Sequence, residues 1–373
     1  MADRSTPCRI PIESAMIITR TPFRISFFGG GTDYPEWFRQ HGGTVLATAI
    51  DKYCYLTCRY LPPFFAHHSR ILYTRVENVS RNSEIEHPAV RGCLEYLNIE
   101  DGVEIHHDGD LPARTGLGTS SSFVVGLLNA LYALQGRRKS KSELAQEAIH
   151  VEQVVLGETV GVQDQTTAAY GGFNRLVFQP DGSTSVQPMI LPGSRMNDLQ
   201  QCLKLYFTGF SRTASEIAKE QVRKINDHQA ELCELTQMVD EAEAILTDSG
   251  RSLDEFGRLL NHGWHLKRRL SSRISTGEID EIYEFALAAG ALGGKLLGAG
   301  GGGFLLFYVP VERQQAFEKS MEQFLRVPFS FSPHGSEVLH YEPGQSYGLD
   351  LTQARQRAYS VRPEATAASQ SGR

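Results

Sequence analysis

The residues with the clearest chemical potential lie in one stretch, Leu111–Leu134, which reads LPARTGLGTSSSFVVGLLNALYAL. Gly116 and Gly118 precede four consecutive hydroxyl residues (119–122), and an apolar run at helical spacing follows. This pattern predicts a buried helix preceded by a loop of small residues. The first N–H groups of a helix lack partners and can bind phosphate, and hydroxyl oxygens can bind Mg²⁺. An ordinary Ser or Thr helix cap beside a glycine turn is the alternative.

A second glycine-rich stretch follows the first predicted strand. The strand covers residues 16–28 and ends at GGGTDYPEW (29–37). Successive glycines let the backbone turn tightly or approach a ligand closely. Asp33, directly behind them, could accept hydrogen bonds from ligand hydroxyls or could be an ordinary turn residue. Arg24 lies among apolar strand residues, where a buried charge is costly unless it meets a carboxylate or faces a cleft.

Two carboxylates follow on neighbouring elements. Glu152 lies near the end of a predicted amphipathic helix (141–157), and Asp164 follows in a segment of small residues (158–172). Near a phosphate-binding loop, one carboxylate could bind a metal ion and the other could act as a base. Each of them alone could equally be a solvated helix-face or capping acid.

A third glycine-rich stretch, KLLGAGGGGFLLFYV, covers residues 295–309. Gly298, Gly300 and Gly303 fit the spacing G-x-G-x-x-G, but the predicted order is helix, glycine loop, strand. A dinucleotide site requires strand, glycine loop, helix. The P-loop pattern and the protein-kinase motifs are absent from the sequence as well. The glycines therefore indicate close packing of backbone against another loop or its phosphate.

Composition limits the function classes. The 37 basic and 43 acidic residues give a net charge of −6, which provides no general attraction to nucleic acid or acidic membranes. No apolar run is long enough to span a bilayer, and the first fifteen residues lack a signal-peptide core. The cysteines form no C-x-x-C pair, and Cys54 and Cys58 share an apolar run that favours the core. We expect a cytoplasmic, reduced protein.

The length of 373 residues favours two domains. We expect an N-terminal domain over 16–192, a C-terminal domain over 198–345, and disorder at 1–15 and 350–373. The second half contains one strand and then predicted amphipathic helices, at 213–248, 252–271 and 278–297. Thr213 precedes Glu216 at capping-box spacing, so that capping is favoured over a phosphate-binding role for the adjacent Arg212.

Together, the three glycine-containing stretches resemble the motifs of the GHMP kinases (galacto-, homoserine, mevalonate and phosphomevalonate kinases), over about residues 16–310. The stretch PARTGLGTSSS is similar to the family signature P-x-x-x-G-L-x-S-S, with Thr119 in the first serine place. The resemblance implies an α+β fold of two domains, S5-like and then ferredoxin-like, with the site in the cleft between them. It also implies ATP and Mg²⁺ as cofactors.

The resemblance further implies roles for individual residues. Asp164 would take the proton of the substrate hydroxyl, Arg24 would lie beside that hydroxyl, and Ser120 and Glu152 would bind Mg²⁺. The residues implied to bind the ATP phosphates are Pro112, Arg114, Thr115, Gly116, Leu117, Gly118, Thr119, Ser120 and Ser121. The residues implied to contact the substrate are Asp33, Gly30, Gly31, Thr32, Arg70, His68, Gly300 and Gly301.

Within the family, the stretches GGGTDYPEW, FFAHHSRI and GVQDQTTAAYGGFN look like the D-glycero-D-manno-heptose 7-phosphate kinases, close to the fucokinases. Galactokinases have Glu and His where Gly30 and Gly31 stand. The resemblance implies phosphorylation of the anomeric hydroxyl of a heptose 7-phosphate to the 1,7-bisphosphate, toward nucleotide-activated heptose for capsule or lipopolysaccharide. The candidate cations for the second phosphate are Lys52, Arg59, Arg70 and Arg175.

The expected partner is therefore a small sugar phosphate, with no nucleic acid and no membrane, and a homodimer is left open. Another sugar 1-kinase, for fucose, mannose or galactose, is the first alternative. The second alternative is a non-catalytic sensor with the GHMP fold that binds sugar and ATP. The complete set of Ser120, Glu152 and Asp164 argues against a silent sensor.

Overall fold

A computed structural model of the chain describes residues 13–62, 65–209 and 214–346. In these residues the strands form two separate sheets, of eight and four strands, with helices packed against them. This arrangement confirms the predicted α+β class. The predicted disorder at 1–12 and 350–373, the capping role of Thr213 and the alternatives for Arg212 lie outside the described residues. Residues 13–15 of the predicted disordered leader begin the first strand.

The elements are numbered in chain order. The strands are β1 (Glu13–Phe28), β2 (Gly43–Tyr60), β3 (Ser69–Leu72), β4 (Val76–Val79), β5 (Val103–Gly109), β6 (Phe173–Phe178), β7 (Thr184–Pro188), β8 (Leu203–Phe207), β9 (Gly293–Leu296), β10 (Phe304–Tyr308), β11 (Leu325–Val327) and β12 (Glu337–Ser346). The α-helices are α1 (Pro35–His41), α2 (Pro88–Tyr96), α3 (Thr119–Leu134), α4 (Lys141–His150), α5 (Gln163–Tyr170), α6 (Gly193–Cys202), α7 (Ala214–Arg223), α8 (Gln229–Thr247), α9 (Asp254–Arg269), α10 (Gly277–Ala288) and α11 (Gln314–Ser320). A π-helical turn, Val151–Val155, continues α4.

The first sheet has the order β12-β1-β2-β5-β3-β4, and β6 and β7 extend it from the other part of β2. Of the strand pairs in the described residues, β3 with β5 is parallel and the others are antiparallel. The second sheet has the antiparallel order β11-β8-β10-β9. Because β12 pairs with β1, the last described strand belongs to the first sheet rather than to the elements of the second half. The division of the chain near 192–198 stays a prediction.

The apolar runs at 43–50 and 53–60 predict two strands joined at Asp51 and Lys52, but β2 is continuous over 18 residues. It pairs with β6 in its first part and with β5 in its last part. At the change of partner, the N–H groups of Ala49 and Asp51 donate to carbonyls of Gly172 and Ser330. Since these hydrogen bonds remain satisfied, the chain can stay extended through the polar pair.

The predicted helix over 278–297 is also wrong at its C-terminal end. Helix α10 ends at Ala288, and β9 begins at Gly293. A Cβ at Gly293 would lie 2.1 Å from the carbonyl oxygen of Gly257 on α9, so this strand can pack there only with a glycine. The glycine loop therefore joins two strands, β9 and β10. This order is again not that of a dinucleotide site.

Helix α3 packs across β1 and β2, and most of its side chains are buried. At the end of β1, the rings of Phe27 and Phe28 contact Phe256 of α9 edge to face, at centroid distances of 5.5 and 5.1 Å. This core contact fixes the end of β1 against α9. Cys54 and Cys58 are buried in β2, as predicted. Among the described residues, no helix has both the length and the apolar character needed to cross a membrane.

Candidate active site

The three glycine-containing stretches meet at one cleft with a volume of about 290 Å³. One wall consists of the end of β1 and the loop after it, and a second wall of the loop before α3 together with the start of α5. The third wall comes from α7, α9, β9 and the glycine loop. Residues that are far apart in the chain therefore face a common space large enough for a small ligand.

The N-terminus of α3 opens into this cleft without a side-chain cap. The cap position is Gly118, which adopts the left-handed conformation at φ 71°, and no side chain accepts a hydrogen bond from the first turn. Thr119, Ser120 and Ser121 of that turn all line the cleft. The structure thus favours the phosphate-binding interpretation over an ordinary Ser or Thr cap, because no side chain caps the first helix N–H groups and Ser120 faces the cleft.

Glycine is required where the loop before α3 meets the loop after β9. Gly116 has φ 82°, and a Cβ on it would lie 2.3 Å from the carbonyl oxygen of Leu297. A Cβ on Gly303 would lie 2.1 Å from the carbonyl oxygen of Thr115. The backbones of the two loops therefore touch, and any side chain at these positions would separate them. The predicted packing of one glycine loop on the other is what the structure contains.

Arg24 and Asp164 form a bidentate ion pair on the floor of the cleft. Arg24 Nε donates to Asp164 Oδ1 at 2.7 Å, and Nη2 donates to Oδ2 at 2.8 Å. Arg24 is buried, whereas the Asp164 side chain is 25% exposed toward the cleft. The third guanidinium nitrogen of Arg24 donates to the carbonyl oxygen of Gly116 at 2.5 Å. Arg24 therefore fixes the carboxylate of Asp164 and the phosphate-type loop relative to each other.

Asp33 lines the cleft near this pair, and its carboxylate is held by backbone. The N–H of Gly31 donates to Oδ1 at 3.0 Å, and the N–H of Gln163 donates to Oδ2 at 3.4 Å. Burial raises the pKa of Asp33, while the Gly31 N–H opposes that shift. Asp33 is thus a turn residue whose carboxylate also lines the cleft, and its contact with ligand hydroxyls stays a prediction.

Glu152 is completely buried behind the N-terminus of α3. Its Oε2 accepts hydrogen bonds from Ser121 Oγ at 2.9 Å and from Gln165 Nε2, whereas its Oε1 has no partner. Burial raises its pKa to about 8. The implied metal pair was Ser120 and Glu152, but the hydroxyl in contact with Glu152 is that of Ser121. Ser120 faces the cleft one position earlier on the helix.

The oxygen donors at this point suit a hard divalent cation. Among the described residues, His, Cys, Asp and Glu side chains do not gather in threes, so a metal here would rely on hydroxyl groups as well. The unpartnered Glu152 Oε1 and the hydroxyls of Ser120 and Ser121 are the oxygen ligands that Mg²⁺ accepts. The residues present therefore fit the implied Mg²⁺.

Two lysines that the sequence did not single out also line the cleft, Lys267 at the end of α9 and Lys295 in β9. Lys295 Nζ donates to the carbonyl oxygen of Phe27 at 2.6 Å. Burial lowers the pKa of Lys267 to about 7, and burial holds the pKa of Lys295 well below its usual range. Lys267 begins a basic run at a helix C-terminus, a pattern that ordinarily complements the helix dipole. For Lys295, its position inside an apolar run was the feature of the sequence that could have indicated a role in the site.

Several residues implied by the resemblance lie outside this cleft. His68 contacts the carbonyl oxygen of Glu100, and Arg70 lies 3.7 Å from the carboxylate of Glu104. The N–H of Gly301 donates to the carbonyl oxygen of Ile274, and Gly300 packs on the same residue. The buried residues Thr32, Thr115 and Leu117 and the exposed Pro112 shape the two loops without lining the cleft.

The remaining candidate cations for a second phosphate are paired with acids. Arg59 pairs with Glu104, and Arg175 pairs with Asp240 and Glu243. Lys52 pairs with its neighbour Asp51. None of these cations lines the cleft. The structure therefore corrects the expectation that they face the sugar side of the site.

The arrangement is suited to moving a phosphoryl group. An uncapped helix N-terminus can hold phosphates, and the carboxylate that Arg24 positions lies beside it, since a Cβ on Gly118 would be 3.4 Å from Asp164 Oδ2. Phosphoryl transfer needs mainly positioning and neutralisation of charge, and a carboxylate can accept the proton of an attacking hydroxyl.

Comparison with known proteins also indicates phosphoryl transfer. The profile of the GHMP kinases N terminal domain matches residues 86–172, and that of the GHMP kinases C terminal domain matches residues 238–325. The first segment contains the phosphate-type loop and Asp164, and the second contains Lys267 and the glycine loop.

The chain is 28% identical to a D-glycero-alpha-D-manno-heptose 7-phosphate kinase of Campylobacter jejuni over 341 residues, 86% of this chain and 97% of the relative. It is 29% identical over 345 residues to an L-fucokinase/L-fucose-1-P guanylyltransferase of Bacteroides fragilis, covering 81% of this chain and 35% of that protein. A D-glycero-D-manno-heptose 1-phosphate kinase from Bacteriodes thetaiotaomicron has a similar crystal structure, with a TM-score of 0.69, 25% identity, and coverage of 87% and 99%. The chain therefore contains the N- and C-terminal domains of the GHMP kinases and is a phosphotransferase, and the kinases of this family are ATP-dependent.

Proposed function

We propose that this kinase transfers the γ-phosphoryl group of ATP to the anomeric hydroxyl of D-glycero-D-manno-heptose 7-phosphate, giving the 1,7-bisphosphate. The observation that carries the proposal is the Arg24–Asp164 pair, which faces the same cleft as Asp33 and the uncapped N-terminus of α3. The heptose-kinase relative, whose length the chain nearly covers, supports the choice of sugar.

In this proposal each group has one task. The N–H groups at the start of α3, together with the loop that contains Gly116 and Gly118, hold the ATP phosphates. Asp33 accepts hydrogen bonds from sugar hydroxyls, which orients the ring against the phosphates. Asp164 takes the proton of the anomeric hydroxyl as its oxygen attacks the γ-phosphorus, and Arg24 keeps the carboxylate aimed at that oxygen.

Mg²⁺ would be held by Ser120, Ser121 and Glu152, whose oxygens fit it. When bound there, the ion would neutralise charge on the ATP phosphates. The burial of Glu152 would strengthen the binding of Mg²⁺, because a carboxylate away from water interacts strongly with a cation.

A kinase for a 6-deoxy sugar such as fucose is the second candidate. A small recess beside the cleft is lined by Gly31, Ile225, Leu232 and Leu270, and it is mostly apolar. Such a surface suits a methyl group better than a polar one. The fucokinase relative supports this alternative as well.

A panel of acceptor sugars tests the proposed function. We expect kcat/KM for heptose 7-phosphate to exceed that for free heptose, mannose, galactose and fucose by at least tenfold, because one charge-assisted hydrogen bond to the second phosphate contributes about 1.5–3 kcal/mol. The measurement is ADP release at fixed ATP. Arg70→Ala is the control and should leave this ratio unchanged, because Arg70 pairs with Glu104 away from the cleft. A preference for free fucose would replace the heptose assignment by the second candidate.

Gly161→Ala tests the role of Asp33. A Cβ at position 161 would lie 1.9 Å from Asp33 Oδ2, so the carboxylate must move. We expect about a tenfold loss of kcat/KM for the sugar, the value of roughly one charged hydrogen bond, with an unchanged KM for ATP. Steady-state kinetics with each substrate varied give the answer. Gly193→Ala, where a Cβ meets no neighbour within 4 Å, is the matched control. Equal changes in both KM values would contradict a sugar-side role for Asp33.

A further inference from the structure

Lys267 projects from the last turn of α9 into the cleft. Its Nζ donates to the carbonyl oxygen of Leu296 at 3.2 Å and to that of Gly298. An ammonium group has three donors, so one of them is still available. Among the described residues, no carboxylate lies within ion-pair distance of Nζ, although Lys267 is half-buried in the cleft wall. A charged group in this position is costly until an anion reaches it.

The anchoring carbonyls place Lys267 where the nucleotide side and the sugar side of the cleft meet. A Cβ on Gly298 would lie 2.3 Å from the Cα of Gly116. The carbonyl that holds Lys267 therefore adjoins the loop before α3 (Gly116–Gly118), called the phosphate loop below. Gly116 in turn accepts a hydrogen bond from Arg24, which holds Asp164. The ammonium group, the phosphate loop and the proposed base are thus joined by consecutive contacts.

Four charged groups face Lys267 from the surrounding elements. Arg24 from β1 and Lys295 from β9 repel it, and Asp33 and Asp164 attract it. Both carboxylates already have other donors, namely Arg24 for Asp164 and two backbone N–H groups for Asp33. Burial, followed by repulsion from Arg24, lowers the pKa of Lys267 to about 7. Among the described residues, the acids of the cleft therefore form no ion pair with Lys267 or Lys295.

We infer that Lys267 is a catalytic residue whose ammonium group contacts the γ-phosphoryl group of ATP during transfer. The inference rests on the proposed phosphoryl transfer but not on the identity of the sugar. In the step, the bond between the γ-phosphorus and the ADP oxygen breaks, and a bond from the sugar oxygen to that phosphorus forms. The hydroxyl proton goes to Asp164 and the bonding electrons leave with ADP. Lys267 stabilises the negative charge on the non-bridging oxygens throughout.

Proton uptake on nucleotide binding tests this contact without turnover. At pH 8 the free lysine is largely neutral, and a γ-phosphate beside it favours the ammonium form. Calorimetry in two buffers of different ionisation enthalpy should show uptake of up to about one proton with a non-hydrolysable ATP analogue and clearly less with ADP. Lys267→Gln should abolish the difference. Lys219→Gln, an exposed lysine on α7, should retain it.

Kinetics test the catalytic part. Lys267→Gln should lower kcat about tenfold and leave the KM of the sugar within twofold, whereas Lys267→Arg should retain most of the activity because it keeps the charge. In the wild type, kcat/KM for ATP should fall above about pH 7 to a plateau near the Gln variant, and the Gln variant should lack this decline. A purely structural role would lower Tm and would leave both proton uptake and the pH profile as in the wild type.

Three results would overturn the inference. Equal proton uptake with ADP and the ATP analogue would place the lysine away from the γ-phosphate. A rise in KM confined to phosphorylated sugars, with kcat unchanged, would assign Lys267 to the acceptor's phosphate. Loss of activity in both Lys267→Arg and Lys267→Gln, with a wild-type rate that falls below pH 7, would make the lysine a base. If no sugar in the panel is phosphorylated, the proposed function fails, but the calorimetric result still decides the contact of Lys267.

Discussion

Asp164→Asn is expected to lower kcat by about 10² to 10⁴-fold, the usual value of a general base. The amide keeps the size of the side chain and can still accept one hydrogen bond from Arg24, but it can neither take a proton nor supply the negative charge. The nucleotide site does not depend on this carboxylate, because backbone contacts hold the start of α3 and the loop before it that contains Gly116 and Gly118. Affinity for ATP should therefore remain within a few fold of the wild type.

Rapid-quench measurement gives the rate of the transfer step, and calorimetric titration gives the affinity for ATP, so the two experiments separate catalysis from nucleotide binding. Asp181→Asn is the control, since Asp181 is exposed in the turn between β6 and β7. Loss of ATP binding in Asp164→Asn would point to a nucleotide-side or structural role for the Arg24–Asp164 pair. Full activity would mean that the proton leaves by another route.

Glu152→Gln is expected to reduce turnover roughly ten- to a hundredfold and to raise the Mg²⁺ concentration needed for half activity, as is usual when a metal site is altered. The fold should survive. Because burial raises the pKa of Glu152 to about 8, the wild-type protein loses stability as the pH rises from about 4.5 through 8, where the buried carboxyl must ionise. The amide stays neutral, so without metal the Tm of Glu152→Gln at pH 9 should equal or exceed that of the wild type.

Titration of Mg²⁺ at fixed ATP, with thermal unfolding in a chelator, measures both effects. Ser120→Ala and Ser121→Ala separate the two hydroxyls. Ser121 contacts Glu152, and Ser120 faces the cleft, so a metal bound between them should be weakened by either change. Wild-type rates and unaltered Mg²⁺ dependence in all three variants would reject a metal site at this position.

The sequence alone determined the local chemistry of the site. Residue types and spacing predicted a loop of small residues before an apolar helix, a charged Arg24 in a strand that should meet a carboxylate or face a cleft, and Asp164 as a carboxylate near that loop. These predictions held in the structure because each depends on a few neighbouring residues, or on the cost of burying a charge without a partner. The GHMP kinase motifs added the order of these elements and the fold.

Only the tertiary structure decided which of several similar side chains meet. Ser120 and Ser121 are alike in sequence, but successive residues of a helix point about 100° apart, so Ser121 faces the buried Glu152 and Ser120 the cleft. Arg70 could have faced a sugar phosphate, but the pairing of β3 with β5 places it beside Glu104. Lys267 reaches the glycine loop after β9 because α9 packs on β9. Such contacts join residues far apart in the chain, and packing between whole elements sets them, which no local pattern encodes.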